Sequence, residues 1–356
     1  MIVNNLIKEN NVLQAIQVCL DENYHDLAML LLIVYKDKNE ITKEVLELEN
    51  KINRFLLPDN CLLPSKKIKV FLACNWCSSE ELLKTWNKMS ENNNLCWGNI
   101  QLVSSDPCDF YCIINKPPPG MKIDKKKTIL FRMEPHMEKD AHHLGEEYAN
   151  PNPYDFFFVG SHDRYYNNNE WHLSKSYKWL SSETIVKDES LSSVISTILS
   201  DKYRDPGHIK RVDFVKFIEN KVDIDVFGNN RFLYKHYKGP LPYHNKDDSL
   251  FPYKYSFNVE NHSIRNYYTE KVIDGILAET LVFYSGCFNL RDYIDERAFV
   301  YLELSNFEKD LETIKQAIEE DWYSQRLPYI KEAKNKILNE LQFFPRLQRI
   351  CNNILE

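Results

Sequence analysis

Apolar residues recur along the first part of the chain at the three- and four-residue spacing of a helical stripe. The segments NNVLQAIQVCLDEN, YHDLAMLLLIVYKDK and ITKEVLELENKINRFL each carry one such face. Residues 1–62 are therefore expected to form an N-terminal helical extension, serving either as packing cover or as a surface for a protein partner. One helical hairpin plus a helix is too little to define a repeat array. From Lys66 the texture changes to short β-branched and aromatic runs alternating with helical stripes. KIKVFLAC predicts a buried strand, SSEELLKTWNKMS a helix starting at Ser78 or Ser79, and NIQLVSS, DFYCIIN, TILFRM and YDFFFVGS further strands. Such alternation predicts an α/β domain with a parallel sheet, assigned to residues 63–185. Its polar end, DRYYNNNEWHLSKSYKWLSSETIVKDES, reads as the linker.

A second α/β unit is assigned to residues 186–345. IKRVDFVKFIENK predicts a helix, VDIDVFGN and YKYSFNVEN strands, and YYTEKVIDGILAETLVFYSG a helix followed by a short buried strand. AFVYLEL adds a strand and NFEKDLETIKQAIEED a helix. The remainder is helical, with a kink expected near Pro328, and residues 346–356 form the end of the C-terminal helix. The expected fold class is α/β, two Rossmann-like domains facing a cleft.

Composition narrows the function. The 356 residues exceed one ordinary core, and 43% hydrophobic with 13% aromatic content describes a packed globular chain. A net charge of -7 argues against general nucleic-acid binding. The 9 glycines form neither a GxGxxG nor a P-loop pattern, so any phosphate site must use a helix end plus side chains. Nine scattered cysteines, the start MIVNNLIKENN and a longest apolar stretch of LAMLLLIVY predict a soluble cytoplasmic protein with no membrane span.

One position is electrostatically odd. Thr269 can cap a helix whose buried stripe is Val272, Ile273, Ile276 and Leu277, and Glu270 suits its positive end. Lys271 does not, because cations are disfavoured there. Either Asp274, three residues on, pairs with it, or a strongly anionic ligand docks at that spot. Upstream, Lys254, Glu260, Asn261, Arg265 and Tyr267 crowd the same strand-to-helix transition. In open α/β sheets, ligands bind at the carboxyl ends of strands, against helix N-termini.

The stretch YKYSFNVENHSIRNYYTEKVIDGILAETLVFYSG resembles the donor-site signature of the α-1,3/4-fucosyltransferases, glycosyltransferase family ten. KRVDFVKFIENKVDIDVFG is similar to that family's arginine-bearing helix and following strand. The resemblance spans roughly Lys66 to Leu347 and is strongest in the second half. It implies a GT-B architecture and GDP-fucose as donor, with a glycan acceptor, no metal and no other cofactor. Carried over, Arg211 and Lys271 would neutralise the diphosphate, with Lys254, Glu260, Asn261, Tyr267, Thr269 and Glu270 around nucleotide and sugar. Glu134, in TILFRMEPHM, would be the general base of an inverting displacement. Two alternatives stand beside this: another GDP-linked sugar, or a non-catalytic glycan- or nucleotide-binding protein.

Other motifs read more plainly. His136, His142 and His143 in EPHMEKDAHHLGEE lack a metal-site spacing and are expected in a solvated loop. Asp223 and Asp225 alternate with apolar neighbours as on a strand, and Cys74 with Cys77 in CNWC are expected to be free thiols. Asn261 begins a formal glycosylation triplet but is expected in the cleft.

Overall fold

The computed structural model describes residues 11–22, 67–134, 154–160 and 170–355, with isolated positions between 28 and 48. Two compact units divide the chain, Met1–Lys67 and Ile68–Glu356. In the first, α1 (Val12–Asp21) buries Ala15, Ile16, Cys19 and Leu20. Ile16, Cys19 and Leu20 cluster with Ala28, Leu32, Val45 and Leu48. Most of the two further expected helices lies outside the described residues.

The second unit holds two six-stranded sheets. The first contains β1 (Ile68–Cys74), β2 (Cys96–Trp97), β3 (Ile100–Val103), β4 (Phe110–Ile114), β5 (Thr128–Phe131) and β6 (Phe158–Gly160). Their order is β2-β3-β1-β4-β5-β6, parallel except for the antiparallel β2–β3 edge. Helix α2 (Ser79–Trp86) starts from a capping box in which Ser78 and Glu81 satisfy each other's backbone N–H. It buries Leu82, Leu83 and Trp86.

The second sheet contains β7 (Ile195–Leu199), β8 (Ile224–Gly228), β9 (Tyr237–Gly239), β10 (Tyr255–Val259), β11 (Leu281–Ser285) and β12 (Phe299–Tyr301). The order is β12-β11-β10-β7-β8-β9, and all pairs are parallel. Every residue of β11 is buried, as expected of a strand covered on both faces. The chain leaves β7 towards β8 and β9, then returns to its other side at β10. That reversal opens a crevice beyond Leu199 and Val259. The first sheet has the same device between β1 and β4. Two Rossmann-like sheets with their crevices on one cleft make the expected GT-B-like α/β plan.

Helices α3 (Tyr177–Ser182), α4 (Pro206–Ile218), α5 (Asp247–Leu250), α6 (Glu270–Leu277), α7 (Phe307–Glu319) and α8 (Trp322–Lys336) follow in chain order. Helix α8 contains Pro328 in its interior, and a π-type turn follows it at Ile337–Leu341. Helix α9 (Phe343–Leu355) then returns to the first sheet, where Phe343 lies edge-on to Trp86 and Phe131. Gln342 donates to the Met89 carbonyl (3.2 Å), and Asn99 to Asn352 (2.8 Å). Two segments therefore join the sheets. No described helix is long and apolar enough to cross a membrane.

Candidate functional site

Arg211 is placed by α4, whose first turn is fixed by Pro206 and a capping box. The His208 ring accepts the Asp205 N–H at 3.3 Å through Nδ1. Burial, then the nearby Arg211, lowers the His208 pKa to about 4, so the ring is neutral and free to accept. Gly207 touches the chain that leaves β10: a Cβ there would sit 1.8 Å from the Glu260 carbonyl oxygen. This close approach seats Arg211 beneath the end of β10. Its Nη1 donates to the Val259 carbonyl (3.1 Å) and Asn261 Oδ1 (3.3 Å), and its Nη2 to Ser200 Oγ (3.3 Å). The residue is 7% exposed and Nε has no partner. It has no ion-pair partner among the described residues, and burial lowers its pKa. A buried guanidinium that no carboxylate contacts directly, although Glu260 and Glu270 act on it through space, faces the crevice.

Within the protein, Lys271 is met by two carboxylates, and Asp274 is neither of them. Glu260, 1% exposed, accepts the Thr269 N–H (2.8 Å), the Thr269 hydroxyl (2.7 Å) and the Tyr284 hydroxyl (3.3 Å). Lys271 Nζ lies 3.4 Å from Glu260 and 3.1 Å from Glu270. Burial works against the ammonium, but the two carboxylates outweigh it and raise its pKa. Glu270 is held well below the usual carboxylate range, since Lys271 and Lys246 together overcome burial. Burial dominates at Glu260 and pushes it up. Asp274 is not the partner of Lys271: it binds Lys246 Nζ (2.6 Å) and the His172 N–H (2.8 Å).

Two candidates take other places. Glu260 does not line the open crevice; it is a strut behind Thr269 and Lys271. Lys254 precedes the first residue of β10 and pairs with Glu189 at 3.0 Å. At about 3.3 Å per residue, the length of β10 puts it roughly 17 Å from the site end. The cation in YKY is thus at the wrong end of the strand.

The remaining candidates converge. A cavity of about 230 Å³ is lined by Met133 and Glu134 from beyond β5, and by Asn261, Tyr267, Thr269, Glu270 and Lys271 from the second sheet. Met133 N–H donates to Asn115 Oδ1 (2.7 Å), which fixes the chain leading into Glu134. Beyond Lys271 and Glu270 opens a cavity of about 430 Å³, walled by Leu199, Ser200, Gly228, Val259 and Arg211. On the other side of Glu134, about 910 Å³ opens between Trp76, Asn115 and His244. His172 borders all three spaces.

His172, Glu170, Tyr243 and His244 were not anticipated. His172 Nε2 is 3.4 Å from Glu170, and its ring meets that of His244 edge-on at 4.2 Å. Burial, then His172, lowers His244 to about 4. The residues stood in the polar linker and in LPYHNK, where aromatic and histidine residues interrupt a turn-rich stretch.

The described residues hold no cluster of three or more potential metal ligands. Asp225 is buried against the Tyr253 hydroxyl (2.8 Å), whereas the Asp223 side chain is 64% exposed. His136, His142 and His143 lie outside the described residues. Cys74 and Cys77 are free, with sulfurs 3.4 Å apart, and burial pushes Cys77 up to about 12.

No family model and no curated protein matches this sequence. Among solved structures, an α1,3-fucosyltransferase with GDP-fucose is 16% identical, with a TM-score of 0.44 over 82% of this chain and 90% of that one. A glycosyltransferase from Rickettsia africae ESF-5 is 9% identical (TM-score 0.47, 82% and 99%). WaaG, a glycosyltransferase involved in lipopolysaccharide biosynthesis, is 9% identical (TM-score 0.43, 81% and 99%). At these identities the likeness extends to the arrangement of sheets and helices and to nothing finer.

Proposed function

We propose that the chain is an inverting glycosyltransferase that moves L-fucose from GDP-fucose to a hydroxyl of a glycan. The observation that carries this reading is the shared cavity, with Glu134 from one sheet facing Glu270 and Lys271 from the other. The acceptor hydroxyl attacks the anomeric carbon and gives its proton to the Glu134 carboxylate. As the new C–O bond forms, the bond from the anomeric carbon to the phosphate oxygen breaks, and GDP leaves with the electron pair.

Charge gathers on the leaving diphosphate. Arg211, Lys271 and the N-terminus of α6 are fixed before the reaction begins, so they stabilise that charge without reorganising. Arg211 has no carboxylate in direct contact to give up, and Glu260 and Glu270 act on it only through space, so a diphosphate supplies a contacting counter-charge. Lys271 shares itself between Glu260 and Glu270, and Glu270 can pass from the ammonium to a sugar hydroxyl. With these cations in place, the reaction is proposed to need no divalent ion.

The test is a ligand panel of GDP, UDP, CMP and ADP, followed by GDP-sugars and a transfer assay with and without chelator. GDP at 100 times its Kd stabilises by about 2.7 kcal/mol. Preference for another base, or loss of transfer on chelation, overturns the corresponding part of the proposal.

A further inference from the structure

Away from the cleft, a cavity of about 630 Å³ opens between β12, the loop after β11 and α8, and shares no lining residue with the site above. Its volume lies within the ~300–1,000 Å³ usual for small-molecule sites. Aromatic surface lines it: Phe288 is 54% exposed and Tyr301 38%, high values for side chains of this size. Arg297 lies flat on Tyr329 at 3.7 Å and extends that aromatic wall, its own charge matched by Asp295 at 2.6 Å.

Two other arginines on this cavity are not matched. Arg326, half-buried on α8, makes one hydrogen bond, from Nη1 to the Phe299 carbonyl at 3.3 Å, and packs against Trp322 at 4.5 Å. It has no carboxylate partner among the described residues, and burial lowers its pKa. Arg291 stands exposed at the rim, also without an ion pair among them. Glu296 is the one acid on the lining. An apolar space with planar walls and an excess of guanidinium recognises a flat body carrying negative charge.

We propose that this cavity is a second binding site, separate from the cleft, for a planar organic anion: an aromatic body bearing one carboxylate, sulfonate or phosphate. The anion reaches Arg326 and Arg291, while the ring lies between the aromatic walls. The site stands whether or not the transferase reading holds, since no residue is common to both.

The probe is 8-anilinonaphthalene-1-sulfonate, titrated by fluorescence into the full chain. One saturable site is expected. Its affinity should fall about tenfold in Arg326→Gln and in Arg291→Gln, the loss of one charge-assisted hydrogen bond. The neutral analogue N-phenyl-1-naphthylamine should bind about tenfold more weakly, and saturating GDP should leave the probe in place. Arg291 is exposed, so its variant keeps the fold even if Arg326→Gln does not. Unchanged affinity in Arg291→Gln, unsaturable binding, or displacement of the probe by GDP overturns the proposal.

Discussion

Replacing Arg211 with methionine separates a binding role from a structural one, because the two have opposite energetic signatures. The folded protein loses three hydrogen bonds, to the Val259 carbonyl, Asn261 and Ser200, all at 3.1–3.3 Å. Bonds from a charged donor are worth ~1.5–3 kcal/mol each at good geometry, and these long ones sit at or below the lower end. Against that loss stands the removal of a buried cation that no carboxylate contacts and that Glu260 and Glu270 favour only through space, whose desolvation costs several kcal/mol. The two terms nearly cancel, so unfolding free energy should change by no more than about 2 kcal/mol. Binding has no such compensation. A diphosphate deprived of two charge-assisted hydrogen bonds loses about 3 kcal/mol or more, roughly a hundredfold in Kd. Isothermal titration with GDP and GMP, beside urea unfolding, reads both quantities. GDP should suffer more than GMP. A variant destabilised by more than about 3 kcal/mol that still binds GDP normally would make Arg211 a strut and refute the reasoning.

Four further expectations use other parts of the structure. Glu134→Gln should bind GDP normally while transfer falls ~10²–10⁴-fold; undiminished turnover removes Glu134 from the mechanism. Lys254→Ala should leave GDP affinity within about twofold, since that lysine stands at the far end of β10. Gly207→Ala places a Cβ 1.8 Å from a backbone oxygen and should destabilise by about 3 kcal/mol or more, measured by urea unfolding. His208 is neutral in the fold, with its pKa lowered from 6.5 to about 4. Its contribution is therefore complete above pH 6.5 and lost as pH falls towards 4, about 3 kcal/mol in all. Between pH 7 and pH 4.5, His208→Gln should lose about 2–3 kcal/mol less stability than the parent; equal losses would show that His208 does not drive the acid sensitivity.

Local chemistry made much of this chain legible. Ser78 and Thr269 announce helix starts by their hydroxyls, and the β-branched and aromatic runs of β1, β4, β5, β10 and β11 could hardly be anything but buried strands. The sequence also brought attention to one strand-to-helix transition, the one at which Asn261, Tyr267, Thr269, Glu270 and Lys271 line a common cavity. What it concealed was direction and distance. Lys254 and Glu260 flank the same strand, yet only one end of a parallel strand meets the crevice. Asp274 lies one helical turn from Lys271, but its carboxylate turns to Lys246 and His172, which are distant in sequence. The central strand β7 was missed because VISTIL mixes hydroxyls with its apolar residues. Ser196 and Thr197 are buried there and donate to the carbonyls of Ser249 and Phe257. Strand β9 is only three residues, too short for a periodic signal. Glu170 and His172 acquire their neighbours from long-range folding, which local spacing does not encode.

The return of α9 to the first sheet has a mechanical corollary. A chain that crosses once between two lobes leaves them free to twist and swing; one that crosses twice ties them along a line. Residues 337–342 form one of the two tethers, and a π-type turn, looser than the helices on either side, lies within it. Any opening between Glu134 and Lys271 would have to turn about that line, as a door turns on its hinges.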